Sequence, residues 1–201
     1  MSRPLRFSVI VPVFNKAETI ERSLESIYQQ TWPDFEVVVV DDGSTDGSVE
    51  ILRRHEKAGK FRLFFRDRPG PGGYAARNFG VAEARTDWIT FLDADDVWGR
   101  NHLEAFAKAV NSAGDGISFC ISGYSKVSGG VESHTNVVSE PGSYLVSDML
   151  KLFRRVDIMN MNAVCIRKTL FDDLEGFPAG KFRRGGDVYF WVLCLMREDV
   201  V

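Results

Sequence analysis

The sequence predicts an α/β fold with a doubly wound, mostly parallel sheet, and three observations carry that expectation. Short apolar runs alternate four times with stretches of helical spacing in the first hundred residues. The runs are almost unbroken, as in strands covered on both faces. Each run also ends in polar or charged residues, which in such sheets gather at one edge.

The first run is Phe7 to Val13 (FSVIVPV). Asn15, with Glu18 three residues on, has the pattern of a capping box and predicts a helix start there, continued by Ile20, Leu24, Ile27 and Tyr28. Phe35 to Val40 (FEVVVV) is the second strand, and Asp41 to Gly47 turns into a helix carrying Val49, Ile51 and Leu52. Phe61 to Phe65 is the third, closed by Arg66-Asp67-Arg68. Pro69 to Gly73 is expected to be a flexible connection into a helix through Tyr74, Ala76 and Phe79. The fourth strand, Trp88 to Leu92, runs into Asp93-Ala94-Asp95-Asp96. Right-handed crossovers then place helices on both faces.

The second half is less regular. Leu103, Phe106, Ala107 and Val110 mark a helix ending near Gly114. Ile117 to Val127 is expected as one strand, with Gly129-Gly130 turning into Val131 to Val138. Ser143 to Phe153 forms a helix, and Met159 to Asn162 leads into a short strand, Ala163 to Ile166. With 201 residues the chain is expected to form a single domain over 1–201, divided into halves 1–98 and 99–201.

Composition removes several classes of function. A net charge of -3 offers no basic field for nucleic acid. Cys120, Cys165 and Cys194 lie far apart and are odd in number, which suits buried thiols in a reducing compartment better than a disulfide frame or zinc site. Met1 to Arg6 lacks the apolar core of a secretory signal, and no apolar run is long enough to span a bilayer. A cytoplasmic protein is expected, with peripheral contact at the inner membrane face compatible with that.

The four strand ends supply Asn15 and Glu18, then Asp41 and Asp42, then Arg66 and Asp67, then Asp93 and Asp95. On an extended backbone Asp93 and Asp95 would share a face, and like charges so close call for a cation between them. Mg²⁺ fits, since it takes one or two carboxylates and completes its shell with water and phosphate oxygens. The bland alternative is an acidic turn in which Asp95 or Asp96 caps the next helix. No G-x-G-x-x-G follows the first strand and no G-x-x-x-x-G-K-[ST] occurs, so nucleotide phosphates would be neutralised by metal rather than by a glycine cradle. Asp41-Asp42 could accept from a base N–H or from ribose hydroxyls.

Four segments together resemble family 2 glycosyltransferases: Val11-Pro12-Val13-Phe14-Asn15, Val40 through Ser48, Ala76-Arg77-Asn78-Phe79-Gly80 and Phe91 through Asp96. That resemblance implies the GT-A fold, with the second half as a smaller mixed β region on the acceptor side. It implies a nucleotide-diphosphate sugar donor, a UDP-sugar being favoured, and a glycan, lipid-linked or other hydroxyl acceptor. It places Pro12, Phe14, Asn15 and Glu18 in the nucleotide pocket, Asp42 or Asp41 on the base, and Arg77 near the base or diphosphate. Asp93, Ala94 and Asp95 would lie at the diphosphate, with Mg²⁺ or Mn²⁺ on Asp93 and Asp95. Asp187 takes the position of the family's catalytic base, in a segment where Gly186 replaces the usual Glu. Without the family, Asp187 reads as a helix N-cap, and the two roles are compatible. The family usually continues past a point like Val201, so a catalytic-domain fragment or a compact member adding one sugar per encounter is expected. Gly186 and the early stop also motivate a rival: a nucleotide-sugar or glycan-binding domain without turnover.

Overall fold

Period-two alternation along the strands divides the apolar residues between two cores, one on each face of a single sheet. The computed structural model describes residues 5–135, 142, 144–153 and 159–197. The elements are β1 (Phe7–Val13), α1 (Ile20–Tyr28), β2 (Phe35–Asp41), α2 (Ser48–Lys57), β3 (Arg62–Phe65), α3 (Tyr74–Glu83), β4 (Trp88–Phe91) and α4 (His102–Ala113). They continue as β5 (Phe119–Ile121), β6 (Tyr124–Ser128), β7 (Val131–Thr135), α5 (Val146–Phe153), β8 (Val164–Arg167), α6 (Lys168–Asp173) and α7 (Gly186–Leu195). The main sheet has the order β3-β2-β1-β4-β8-β5. Its first four strands run parallel, and β8 is antiparallel to both β4 and β5.

Ile10, Val38, Val40, Ile89 and Phe91 face one core, filled by α3, α6 and α7 with Phe171, Phe177, Phe190 and Trp191. Val9, Val11, Val37 and Val39 face the other, covered by Ile20, Leu24 and Ile27 of α1, Leu52 of α2 and Leu103 and Phe106 of α4. The doubly wound, mostly parallel architecture is thus the expected one. Strand order moves outward from β1 to β3, then returns to put β4 on the other side of β1. The chain therefore reverses direction between β1 and β4, and their carboxyl ends open a crevice, the usual place for a ligand in such sheets.

Several local expectations are corrected. No capping box opens the first helix: α1 begins at Ile20 after Thr19, which makes no side-chain cap. Asn15 instead has a positive φ of 52° and accepts from the Thr45 amide at 2.8 Å. The expected strand Ile117 to Val127 is two strands in different sheets. β5 pairs with β8, the Ser122 amide makes the last bond to Ala163 O at 2.8 Å, and β6 then leaves to pair with β7 alone. The hairpin at Gly129-Gly130 is present, while Asn136 to Val138 and Ser143 lie outside the described residues.

Helix α3 lies against β1 and β2 through a glycine. A Cβ on Gly80 would come within 2.5 Å of Ile10 Cγ2 and 3.3 Å of Val40 Cγ2, both in the core. Overpacking of this kind typically costs about 1–3 kcal/mol, so Gly80→Ala is expected to lower stability by that much in urea unfolding. A variant as stable as the parent would show that α3 does not sit this close.

Candidate active site

At the crevice between β1 and β4 lies a cavity of about 380 Å³, within the range of small-ligand sites. Its wall comes from every parallel strand end but β3. Pro12 and Val13 end β1, and Phe14 and Lys16 follow it; Asp42 follows β2; Asp93, Ala94 and Asp95 follow β4. Gly70, Gly72, Gly73, Ala76 and Arg77 close it from the segment that enters α3.

That glycine segment is part of the wall and not a loose connection. Pro71–Gly73 forms a 3₁₀ turn in which Gly72 and Gly73 hold φ of 67° and 65°, conformations that side chains with a Cβ seldom adopt. The Gly70 amide donates to Asp42 Oδ2 at 3.0 Å, and Gly72 O accepts from Arg77 Nη1 at 2.6 Å.

The carboxylates are distributed among protein cations. Arg66 pairs with Asp42 Oδ1, Arg77 Nη2 with Asp93 Oδ1, and Lys16 Nζ lies 2.5 Å from Asp95 Oδ2. Asp93 and Asp95 do not lie on one strand face. β4 ends at Phe91, and a turn closed by the Asp96 amide on Asp93 O at 3.0 Å directs the two carboxylates to different partners. They nonetheless line the same cavity. Arg77 is 6% exposed, so its pair is shielded, whereas the Lys16 and Asp95 side chains are 36% and 48% exposed. Exposed pairs contribute about 0–1 kcal/mol. The Lys16 bond is therefore the one a ligand can exchange.

The acidic turn is held from three sides. Thr19 Oγ1 donates to Ala94 O at 2.8 Å and Arg22 Nη2 to Asp95 O at 3.1 Å. Asn162 Oδ1 accepts from the Asp93 amide at 2.6 Å, and Asn162 Nδ2 donates to Asp96 Oδ2. Trp98 Nε1 donates to Asn162 O at 2.9 Å, and its ring stacks on His102, which burial pushes down to about 4 and so keeps neutral. Burial, then the charges of Asp93 and Asp95, pushes the Asp96 carboxyl above its ordinary value, against the lowering effects of Asn162 and Lys16.

Of the residues expected from the sequence, Pro12, Phe14, Asp42, Arg77, Asp93, Ala94 and Asp95 meet at the cavity. Asn15, Glu18, Asp41 and Asp187 do not line it. Asn15 ties the β1 loop to the β2 loop through Ser44 Oγ and the Thr45 amide, and Glu18 is exposed. Asp41 is buried, with Oδ2 accepting from the Gly43 and Ser44 amides at 3.2 and 3.1 Å. Asp187 sits in the first turn of α7, half-buried, and accepts from Tyr74 Oη at 3.2 Å. Sequence reasoning assigned no role to Lys16, Tyr74 or Asn162. Lys16 stands next to Asn15 just past β1, so the strand-end rule pointed to it; nothing in the sequence brings Asn162 to Asp93.

The donor set suits a hard divalent cation. Asp93 and Asp95 offer oxygen ligands on one wall, and the lysine on Asp95 sits in an exposed pair that a cation can displace. Among the described residues no group of three or more His, Cys, Asp or Glu converges as a metal cage. The remaining ligands would therefore come from water and substrate.

Comparison with known proteins follows the same lines. The family model described as "Glycosyl transferase family 2" matches residues 8–173. The putative teichuronic acid biosynthesis glycosyltransferase TuaG of Bacillus subtilis is 31% identical over 144 residues, covering 72% of this chain and 56% of its own length. S. aureus TarS 1-349, solved in complex with UDP-GlcNAc, superposes with a TM-score of 0.81 at 22% identity over 98% of this chain and 56% of that one. The mannosyltransferase PcManGT from Pyrobaculum calidifontis, solved with GDP-Man and Mn²⁺, gives a TM-score of 0.60 at 27% identity over 86% of this chain and 47% of that one. The TarS likeness shows the GT-A fold. Against three further curated relatives the chain spans between 14% and 41% of their length.

The raised Asp96 carboxyl makes stability depend on pH. An acid whose folded value lies above its unfolded one opposes folding while ionised, and the opposition disappears once pH falls below the unfolded value. Asp96→Asn, which retains an oxygen for Asn162, is expected to raise Tm at neutral pH. The gain should fade as pH falls through the ordinary carboxylate range. A Tm difference independent of pH would contradict this electrostatic account.

Proposed function

This chain belongs to glycosyl transferase family 2, and we propose that it moves a sugar from a nucleotide-diphosphate sugar to an acceptor hydroxyl with inversion at the anomeric carbon. The observation that carries the proposal is the cavity at the β1–β4 crevice, whose wall combines Asp42, Arg77, Asp93 and Asp95. A UDP-sugar is favoured, and surface polysaccharide or glycolipid assembly is the favoured setting. The teichuronic acid relative and the UDP-GlcNAc complex of TarS support both.

The residues divide the work as follows. Asp42, buried and fixed by Arg66 and the Gly70 amide, keeps lone pairs for a base N–H or ribose hydroxyl at the β2 end of the cavity. Arg77, held by Gly72 O and Asp93, keeps a positive charge on the cavity wall beside the diphosphate. Lys16, released from Asp95, provides a second charge for the phosphates, mobile where Arg77 is fixed. Mg²⁺ or Mn²⁺ on Asp95, with Asp93 beside it, would stabilise the charge that develops on the leaving diphosphate. The Mn²⁺ complex of the mannosyltransferase supports this assignment.

In the reaction the acceptor oxygen bonds to the anomeric carbon as the bond from that carbon to the diphosphate oxygen breaks. The acceptor proton goes to Asp187, and nucleoside diphosphate leaves. Near Asp187 in the chain, the ring of Phe182 in the loop before α7 stacks on Tyr189 of α7, both partly exposed, and the same loop exposes Lys181, Arg183 and Arg184. An apolar ring face with cations around it suits a sugar acceptor that carries anionic groups. Among the described residues no helix is long and apolar enough to cross a membrane, and contact with a lipid-linked acceptor would be peripheral.

Two measurements test the proposal. In a thermal-shift screen of UDP-, GDP-, dTDP- and CDP-sugars with and without Mn²⁺, at least one sugar nucleotide should raise Tm, and more so with the metal. No shift from any of them would remove the donor assignment. Asp187→Asn should cut transfer by about 10²–10⁴ with donor affinity retained, as expected for loss of a general base. Unchanged transfer would take Asp187 out of that role, and tight binding by the parent with no turnover on any acceptor would favour a binding domain.

A further inference from the structure

Gly186 heads α7 immediately before Asp187, and its φ is not in the left-handed region. Backbone conformation therefore does not demand glycine there, and helix propensity opposes it. The reason lies in packing. A Cβ built on Gly186 would come within 2.9 Å of Tyr74 Cε2, 3.0 Å of Tyr74 Cζ and 3.2 Å of Pro178 Cγ. The ring of Tyr74 fills the space that a side chain at position 186 would need.

Tyr74 brings a hydroxyl with that ring. The Gly186 amide donates to Tyr74 Oη at 3.0 Å, and Tyr74 Oη lies 3.2 Å from Asp187 Oδ1. A phenol has one proton. With its oxygen accepting from the amide, that proton is free to be donated to the carboxylate. Tyr74 is 4% exposed, and burial, then the charge of Asp187, pushes its hydroxyl above the ordinary phenol value, so it stays a donor at neutral pH. The ring is fixed in turn. It stacks on Phe177 with centroids 5.9 Å apart, and Asn78 clamps Phe177 by bonds to its carbonyl and amide at 2.8 and 2.9 Å.

We propose that Tyr74 is the positioning residue for Asp187, its buried hydroxyl aligning the carboxylate in the space that Gly186 leaves open. This rests on the reading of Asp187 as the base. The Glu usual before that Asp in the resembling family cannot coexist with Tyr74 in this position, and the phenol takes over the support of Asp187 from another element. Helix α3 then carries both ends of the reaction, with Arg77 on the donor wall and Tyr74 and Asn78 on the side of the base.

The test uses the 201-residue chain and the donor sugar from the UDP-, GDP-, dTDP- and CDP-sugar panel that is turned over fastest, with water or added glycan as acceptor. Tyr74→Phe keeps the ring and removes the hydroxyl. Its kcat should fall by about tenfold, the order expected for a lost hydrogen bond to a charged group, with donor KM unchanged. Gly186→Ala pushes the ring from its place and should lower kcat as well. In the double variant the two losses should not multiply, because both act through the same hydroxyl. Independently of turnover, the Gly186 amide should exchange with solvent faster in Tyr74→Phe, read by ¹⁵N NMR. A kcat equal to the parent's in Tyr74→Phe, or losses that multiply in the double variant, would overturn the proposal. Asp187→Asn run alongside separates the failures. If Asp187→Asn retains full turnover, the base assignment is wrong; if it is inactive while Tyr74→Phe is unimpaired, only the positioning role is wrong.

Discussion

Four carboxylates at one rim of a sheet cannot stand together uncompensated, and that constraint organises the structure around its crevice. Asp42, Asp93, Asp95 and Asp96 lie beyond the carboxyl ends of β2 and β4, Asp42 buried, Asp93 half-buried and Asp95 and Asp96 open to solvent. Arg66, Arg77 and Lys16 arrive from three different loops or helices to offset three of them. Asp96 receives an amide from Asn162 in place of a charge, and its carboxyl is raised. The arrangement is balanced but not saturated, as a site that accepts a further cation together with a polyanion has to be.

The cations differ in how firmly they are committed. Arg77 is buried, bidentate between Gly72 O and Asp93, and is set on a helix that packs through Gly80 directly onto β1 and β2. Removing one partner of such a pair leaves an uncompensated charge in poor solvent, so it is a fixed feature of the wall. Lys16 lies on a loop with both members of its pair well exposed. The first interaction shapes the site and the second can exchange. Helix α3 extends the fixed part to the far side of the reaction, because Arg77, Tyr74 and Asn78 all belong to this one helix.

Much of this was legible in the sequence because it is local or repetitive. Unbroken apolar runs gave the four parallel strands, the strand-end rule put Asp42, Asp93 and Asp95 on one rim, and the family resemblance added Pro12 and Phe14. What was not legible depends on contacts between distant segments. β8 enters the sheet antiparallel to β4, with Trp88 opposite Arg167 and Thr90 opposite Cys165, and nothing local in Val164–Arg167 announces that pairing. Ser122 and Gly123 end β5 and release a separate hairpin, where alternation alone had joined them. The capping-box pattern at Asn15 lost to a tertiary bond with Thr45. Gly186 looked like a missing group until Tyr74, more than a hundred residues earlier, was seen to occupy its space.

The account stands or falls on whether the rim takes up a metal-bound pyrophosphate by giving up its exchangeable lysine. A crystal structure of the chain grown with UDP and Mn²⁺ tests this directly. The account predicts the metal bound to Asp95 and to diphosphate oxygens, the Lys16 ammonium turned from Asp95 to phosphate, and the Arg77–Asp93 pair intact. UDP and metal bound elsewhere, with Lys16 still on Asp95, would contradict it.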